Sequence, residues 1–147
     1  MSGKVTGLQE LQAIIDGDVP PPPMALTMGL EFSEINGETM LMYATADDRH
    51  LNPMGGVHGG FAATVLDSVT GCVVHAALAP GDSYGTIDLA VKMMRPIPVN
   101  QRMRVEGRLL NLSKSLGVSE GRIVGENGKL YAHATCTCKI NRAPQDR

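Results

Sequence analysis

Between Gly55 and Gly81 the chain carries a single Asp, Glu, Lys or Arg side chain, Asp67. No other property of the sequence restricts the fold as severely. A glycine-rich turn leads into an apolar segment that begins near Gly59 and must leave the helical conformation before Pro80, because a proline pushes the residue ahead of it out of the α region. Its apolar residues, Phe61, Val65, Leu66, Val69, Val73, Val74 and Leu78, do not keep to one narrow stripe, and the other faces are mostly Ala, Gly, Thr and Ser. A surface helix would present a polar face; this pattern predicts a helix enclosed on most sides. The rest of the chain has to wrap it.

The flanking segments read as that wrapping. Residues 30–35 and 39–44 flank Asn36-Gly37, a strong hairpin signal. Residues 86–94 alternate, with Ile87, Leu89, Val91 and Met93 expected on one face, and Pro96 and Pro98 end the run. Residues 102–112 set Met103, Val105 and Leu109 against Arg102, Arg104, Glu106 and Arg108. A strand over 117–124 follows, then a turn at Glu126-Asn127-Gly128. Residues 130–140 put Leu130, Ala132, Ala134, Cys136, Cys138 and Ile140 on one side. Two strands, a long helix and four strands in tandem predict an α+β fold, an antiparallel β-sheet wrapped around a long central helix. Ahead of it, apolar residues at 8, 11, 14 and 15 predict a short amphipathic helix that Gly17 can cap. Pro20 to Pro23 predict an extended connector. The chain thus divides into an N-terminal helix and proline-rich strap, 1–24, and one domain, 25–147. The strap is read as lying over the sheet, with a lid at a pocket mouth as the other reading.

A lone carboxylate within an apolar helix is either a rim group tied to a partner or to water, or a base or nucleophile tuned for chemistry. The turn before it favours chemistry. Gly59 and Gly60 at a helix start leave backbone N–H groups uncovered at the positive end of the helix dipole, which outlines an anion or oxyanion site. His58 and Asn52 add polar side chains at the same end. Eight residues separate Gly59 from Asp67, about 12 Å of helix rise, whereas a reacting carbon lies roughly 3 Å from both its nucleophile and its oxyanion donors. One helix does not readily do both. Two copies of the helix, antiparallel across a two-fold axis, bring the Gly59 end of one beside Asp67 of the other.

The pattern Asn-Pro-x-Gly-x-x-His-Gly-Gly from Asn52 to Gly60, with an Asp nine residues after the His, resembles the hotdog-fold acyl-CoA thioesterases of the phenylacetic-acid-degradation type. The likeness extends over roughly residues 25 to 140. Carried over residue by residue, it implies that Asp67 is the catalytic carboxylate and Gly59 the backbone oxyanion donor. It also implies that Asn52 orders the loop or water, that His58 fixes the turn, and that Thr86 stands near the attacking water. The substrate it implies is an acyl-CoA, aryl-acetyl or medium-chain, hydrolysed in a homodimer, with a tetramer built as a dimer of dimers among relatives. Gly60 and Met54 are expected at the substrate. CoA phosphates need cations, and Arg95, Lys114 and neighbouring Ser115 stand at strand ends where they could serve; the other reading of these charges is plain surface solvation.

Composition narrows the remaining classes. With 147 residues, 43% hydrophobic and 19% charged, the chain is an ordinary soluble globule of one domain. Its net charge of −2 argues against a general nucleic-acid binder. The apolar segment approaches membrane-spanning length, but Asp67 and its many Gly and Ala residues argue against a span. Three cysteines make no disulfide framework, and with a polar opening they point to reduced thiols in the cytoplasm. His50, His75 and His133 show no metal spacing and read as structural or surface residues, and no cofactor is expected. Two rivals stay open: a non-catalytic binder of acyl-CoA or an aromatic ligand, and a hotdog hydratase acting on enoyl or hydroxyacyl thioesters.

Overall fold

The computed structural model describes residues 4–144; residues 1–3 of the expected strap and 145–147 of the expected domain lie outside the described residues. The chain opens with α1 (Gly7–Ile15), started by a capping box in which Thr6 and Gln9 satisfy each other's backbone N–H. Gly17, at φ 82°, follows its C-cap Asp16. Leu11 is buried, and Glu10 Oε2 lies 2.7 Å from His75 Nε2. The crossing at His75 is so close that a Cβ on Gly7 would collide with the His75 carbonyl oxygen. Pro22 keeps the extended conformation expected of the proline run, but Pro23 departs from it by opening a second short helix, α2 (Pro23–Thr27). The physical reason is positional: a helix's first residue has no intrahelical N–H bond to lose, and the fixed proline φ suits it.

Six strands follow: β1 (Leu30–Ile35), β2 (Thr39–Thr45), β3 (Ser83–Met93), β4 (Arg102–Leu112), β5 (Leu116–Val124) and β6 (Leu130–Asn141). Between β2 and β3 runs the long helix α3 (Gly59–Ala76), with the limits that the glycine turn and Pro80 predict. The strands form one antiparallel sheet in the order β1-β2-β4-β5-β6-β3. The expected hairpin joins β1 to β2, where the Asn36 side-chain oxygen accepts from the N–H groups of Glu38 and Thr39, both at 2.8 Å.

The sheet wraps α3 closely, in the hotdog arrangement. No residue of α3 is fully exposed. Val65, Leu66, Val69 and Val73 pack against Met42, Met103, Val105, Ile123 and Ala134 in a core with few aromatics. The helix sits deep because Gly107 and Gly121 face each other across β4 and β5 beneath Val69. A Cβ on either would come within 2.9 Å of that side chain, so any larger residue would lift the helix off the sheet. The inner face of β6 is the expected one, with Ala132, Ala134, Cys136, Cys138 and Ile140 buried.

Strand β3 differs from its expected alternation. Its register against β6 slips between Thr86 and Asp88, so Ile87 is the extra residue of a β-bulge. Ile87 is 61% exposed rather than facing the core, whereas Leu89 and Val91 do pack inward. Thr86 is thereby brought to the face that carries Leu89 and Val91. Strict alternation would have turned it away. Among the described residues, no helix is long and apolar enough to cross a membrane.

Candidate active site

The loop before α3 is held by its own side chains. The Asn52 side-chain oxygen accepts from the N–H groups of Met54 at 2.9 Å and Gly56 at 3.2 Å, while its backbone N–H donates to the Gly56 carbonyl at 2.7 Å. Asn52 therefore closes the loop, which Gly55 completes at φ 86°. His50 joins this loop to the end of α2. Its Nδ1 accepts from the Asp47 N–H, which leaves Nε2 to carry the proton and donate to the Thr27 carbonyl at 2.7 Å. Its own carbonyl accepts from the His58 N–H at 2.8 Å.

His58 is the N-cap of α3, and its Nδ1 accepts the Gly60 N–H at 2.7 Å. This separates the two glycines. The Gly60 amide is occupied by the cap, so its expected contact with substrate cannot run through that N–H. The Gly59 N–H has no hydrogen-bond partner among the described residues and lies at the positive end of an 18-residue helix. Met93, at the end of β3, rests against Gly59, with its sulfur 2.8 Å from where a Cβ would stand.

Two turns further along α3, half-buried Asp67 accepts a hydrogen bond at 2.9 Å from the Thr86 hydroxyl on Oδ1. The bulge in β3 makes this contact possible. Behind Thr86 stand the buried thiols of Cys138 and Cys136, at 3.9 and 4.0 Å from its hydroxyl and 3.7 Å from each other. The contact between these two thiols lowers the Cys136 pKa and raises that of Cys138, burial adding to the rise.

Asp67 and Thr86 open onto a cavity of about 210 Å³ between α3, β1, β3 and the strap. Its other walls include Ser68 and Cys72 from α3, and Tyr84 from β3. Burial pushes the Cys72 thiol up to about 12, with the Asp67 charge adding to it. Burial likewise raises the Tyr84 phenol. None of these wall residues was singled out from sequence. A signal for one existed, since Gly71 lies one helical turn beyond Asp67 on the same face and so leaves room there for a ring.

The remaining candidates lie elsewhere. Met54 is 91% exposed at the loop tip. Arg95, two residues after the Met93 that rests against Gly59, is exposed, with no ion-pair partner among the described residues. Lys114 and Ser115 form the exposed β4–β5 turn near the other end of α3, where Gly117 underlies Val74. Their carbonyls are used within the fold, Lys114 accepting from Arg142 and Ser115 from Ile140. One chain therefore does not bring Arg95 and Lys114 together. Among the described residues, no group of three or more His, Cys, Asp or Glu could hold a metal ion.

The six-stranded antiparallel sheet wrapped on α3 defines a hotdog-fold protein. A family model described as the thioesterase superfamily matches residues 54–132, more than half of the chain. The chain is similar to a phenylacetic acid degradation-related protein of Ralstonia eutropha JMP134, at 31% identity and a TM-score of 0.80 over 88% of this chain and 98% of that one. It is 25% identical over 103 residues to acyl-coenzyme A thioesterase 13 of Mus musculus, covering 68% of this chain and 71% of that protein. A Streptococcus mutans UA159 protein bound to acetyl CoA shares the fold at 17% identity and a TM-score of 0.72, over 79% of this chain and 91% of that one. The chain belongs to the thioesterase superfamily, and it is a thioester hydrolase.

Proposed function

We propose that the protein hydrolyses an acyl-CoA thioester to a free acid and CoA, at a site that two copies of the chain build together. The observation that carries this reading is the Thr86–Asp67 pair on the wall of a pocket, with an unpaired amide at the start of the same helix. The relatives whose names mention acyl-coenzyme A or acetyl CoA support the choice of thioester.

Two features support a shared site. Strand β3 is an edge of the sheet, eleven residues long, and an edge of that length is a template for another strand. Along it, Thr86 adjoins Asp67 and Met93 adjoins Gly59. A two-fold axis near Leu89 and Ala90 that pairs β3 with its copy therefore carries Gly59 of the second copy toward Asp67 of the first. The half-buried stripe Gly60, Ala63, Thr64 and Asp67 on α3 is small enough to let a second helix approach. A dimer is the smallest assembly that works, and a dimer of dimers is compatible with it.

In this arrangement the thioester carbonyl oxygen lies at the Gly59 N–H of the second copy, where the helix terminus stabilises the charge that grows on oxygen. Asp67 acts by one of two routes. As general base it takes a proton from water while the water oxygen bonds to the carbonyl carbon. As nucleophile it bonds to that carbon itself, and water then opens the anhydride. In both, the C–S bond breaks and the CoA thiolate takes up a proton. Thr86 holds the carboxylate from one side, while Asn52 and His58 keep the loop and helix start in shape. Arg95 of the copy that supplies Gly59, and Lys114 with Ser115, are the candidate contacts for the CoA phosphates. The three free cysteines support a reducing, cytoplasmic setting.

The test is release of free thiol from acyl-CoAs, followed with a thiol-reactive dye. Asp67→Asn is expected to keep the fold and lose hydrolysis by about a hundredfold or more. Full activity in that variant would remove Asp67 from the mechanism. Binding of acyl-CoA by the wild type without thiol release would reassign the protein as a binder.

A further inference from the structure

The cavity beside Asp67 has a direction. Asp67, Gly71 and His75 succeed one another at intervals of four residues along one face of α3. The Tyr84 ring lies across the second step and against the third: a Cβ on Gly71 would stand 3.2 Å from that ring, whose centroid is 5.4 Å from that of His75. Val74, Cys136 and Cys138 back the ring, so it is anchored in place. Leu30 and Phe32 from β1 wall the space between Asp67 and Tyr84, and Ala25 on α2 closes its side. The walls from the strap, α2 and β1 are apolar throughout, while the polar groups Asp67, Ser68 and Thr86 come from α3 and β3. Hydrocarbon suits the apolar side of this space.

We propose that this cavity holds the acyl group, that Tyr84 is the stop that sets its greatest length, and that the proline-rich strap is a fixed wall of the pocket. This rests on the thioester-hydrolase reading of Asp67 and adds an upper limit to the length of the apolar acyl group. The volume of about 210 Å³, at roughly 30 Å³ for a group the size of a water molecule, matches about seven methylene-sized groups. Straight chains up to about octanoyl fit by this measure, and a decanoyl or dodecanoyl chain meets the Tyr84 ring.

The experiment is kcat/KM for butanoyl-, hexanoyl-, octanoyl-, decanoyl- and dodecanoyl-CoA, in the wild type and two variants. The wild type is expected to favour hexanoyl- or octanoyl-CoA and to fall about tenfold or more by dodecanoyl-CoA, since one methylene in a fitted pocket is worth roughly that factor. Tyr84→Leu removes the stop and is expected to raise dodecanoyl-CoA relative to hexanoyl-CoA by about tenfold. Cys72→Leu narrows the cavity and is expected to shift the optimum toward butanoyl-CoA; it carries the test alone if Tyr84→Leu does not fold. A wild-type profile that is flat to dodecanoyl-CoA overturns the proposal and leaves the hydrolase reading standing. So does a Tyr84→Leu profile that changes every substrate by one factor. A wild type that releases thiol from none of the five overturns the straight-chain proposal, and release from phenylacetyl-CoA then leaves the hydrolase reading standing while its absence overturns that too.

Discussion

The Thr86 hydroxyl donates to Asp67 Oδ1 at 2.9 Å, and the value of that contact can be bounded. A hydrogen bond to a charged group contributes about 1.5–3 kcal/mol, which corresponds to roughly ten- to hundredfold in rate if the bond is needed in the transition state. Thr86→Val, which keeps the shape and removes the hydroxyl, is expected to lower kcat by at least about tenfold, while Thr86→Ser restores most of it. Equal kcat in Thr86→Val and the wild type would leave the hydroxyl without a role. Cys72 offers a second reading at this scale. With its thiol held at about 12, its thiolate is scarce at pH 8. Alkylation of native Cys72 is therefore expected to run on the order of a thousandfold slower than that of an unperturbed thiol with a pKa near 8.5. Mass spectrometry after timed labelling, native against denatured, measures the ratio.

At the level of elements, the start of α3 and the start of β3 each carry a separable interaction. Gly59 is the first residue of α3, a position where proline is well accepted. The preceding His58, at φ −62° and ψ 137°, already has the conformation that a following proline requires. Gly59→Pro thus deletes the one N–H proposed to meet the oxyanion and leaves the helix intact, with Met93 displaced at its flexible end. Hydrolysis is expected to fall by about a hundred- to a thousandfold with the circular-dichroism spectrum unchanged. Asp82, just before β3, accepts from the Ala143 N–H and from Arg142, both at 2.8 Å, and Arg142 also donates to the Ser113 and Lys114 carbonyls. The Ala143 N–H, and then Arg142, hold the Asp82 carboxyl below its ordinary value of 3.8. A depressed carboxyl stabilises the fold at every pH above its unfolded pKa and loses that contribution as pH falls through the folded value. Asp82→Asn should therefore lower Tm at pH 7, and the gap to wild type should close in melts run below the ordinary carboxylate range.

For the whole molecule, the proposal that two chains share each site has its own signature. Asp67→Asn and Gly59→Pro disable different halves. If one chain supplies the carboxylate and the other the amide, a mixed dimer contains one intact site. Statistical reassociation of the two inactive variants would then recover about a quarter of wild-type activity. A site built within one chain would recover nothing. The mixture is prepared by co-expression, with a tag on each variant to confirm that mixed dimers form.

The parts of this protein that could be read without coordinates depend on neighbours close in sequence. The limits of α3 follow from Gly59 and Pro80, and the inner face of β6 from residues two apart. The candidate carboxylate stands out because Asp67 is alone among 26 uncharged neighbours from Gly55 to Gly81. Folding decided whatever depends on residues that meet across the chain. Ile87 looks like a core residue by alternation, yet the register against β6 ejects it and thereby turns Thr86 toward Asp67. Gly59 and Gly60 are identical as letters, and the reach of the His58 ring separates them by occupying one amide. Tyr84 and the strap become pocket walls because β3, β1 and α2 converge on one face of α3, a convergence of distant segments that no local periodicity encodes.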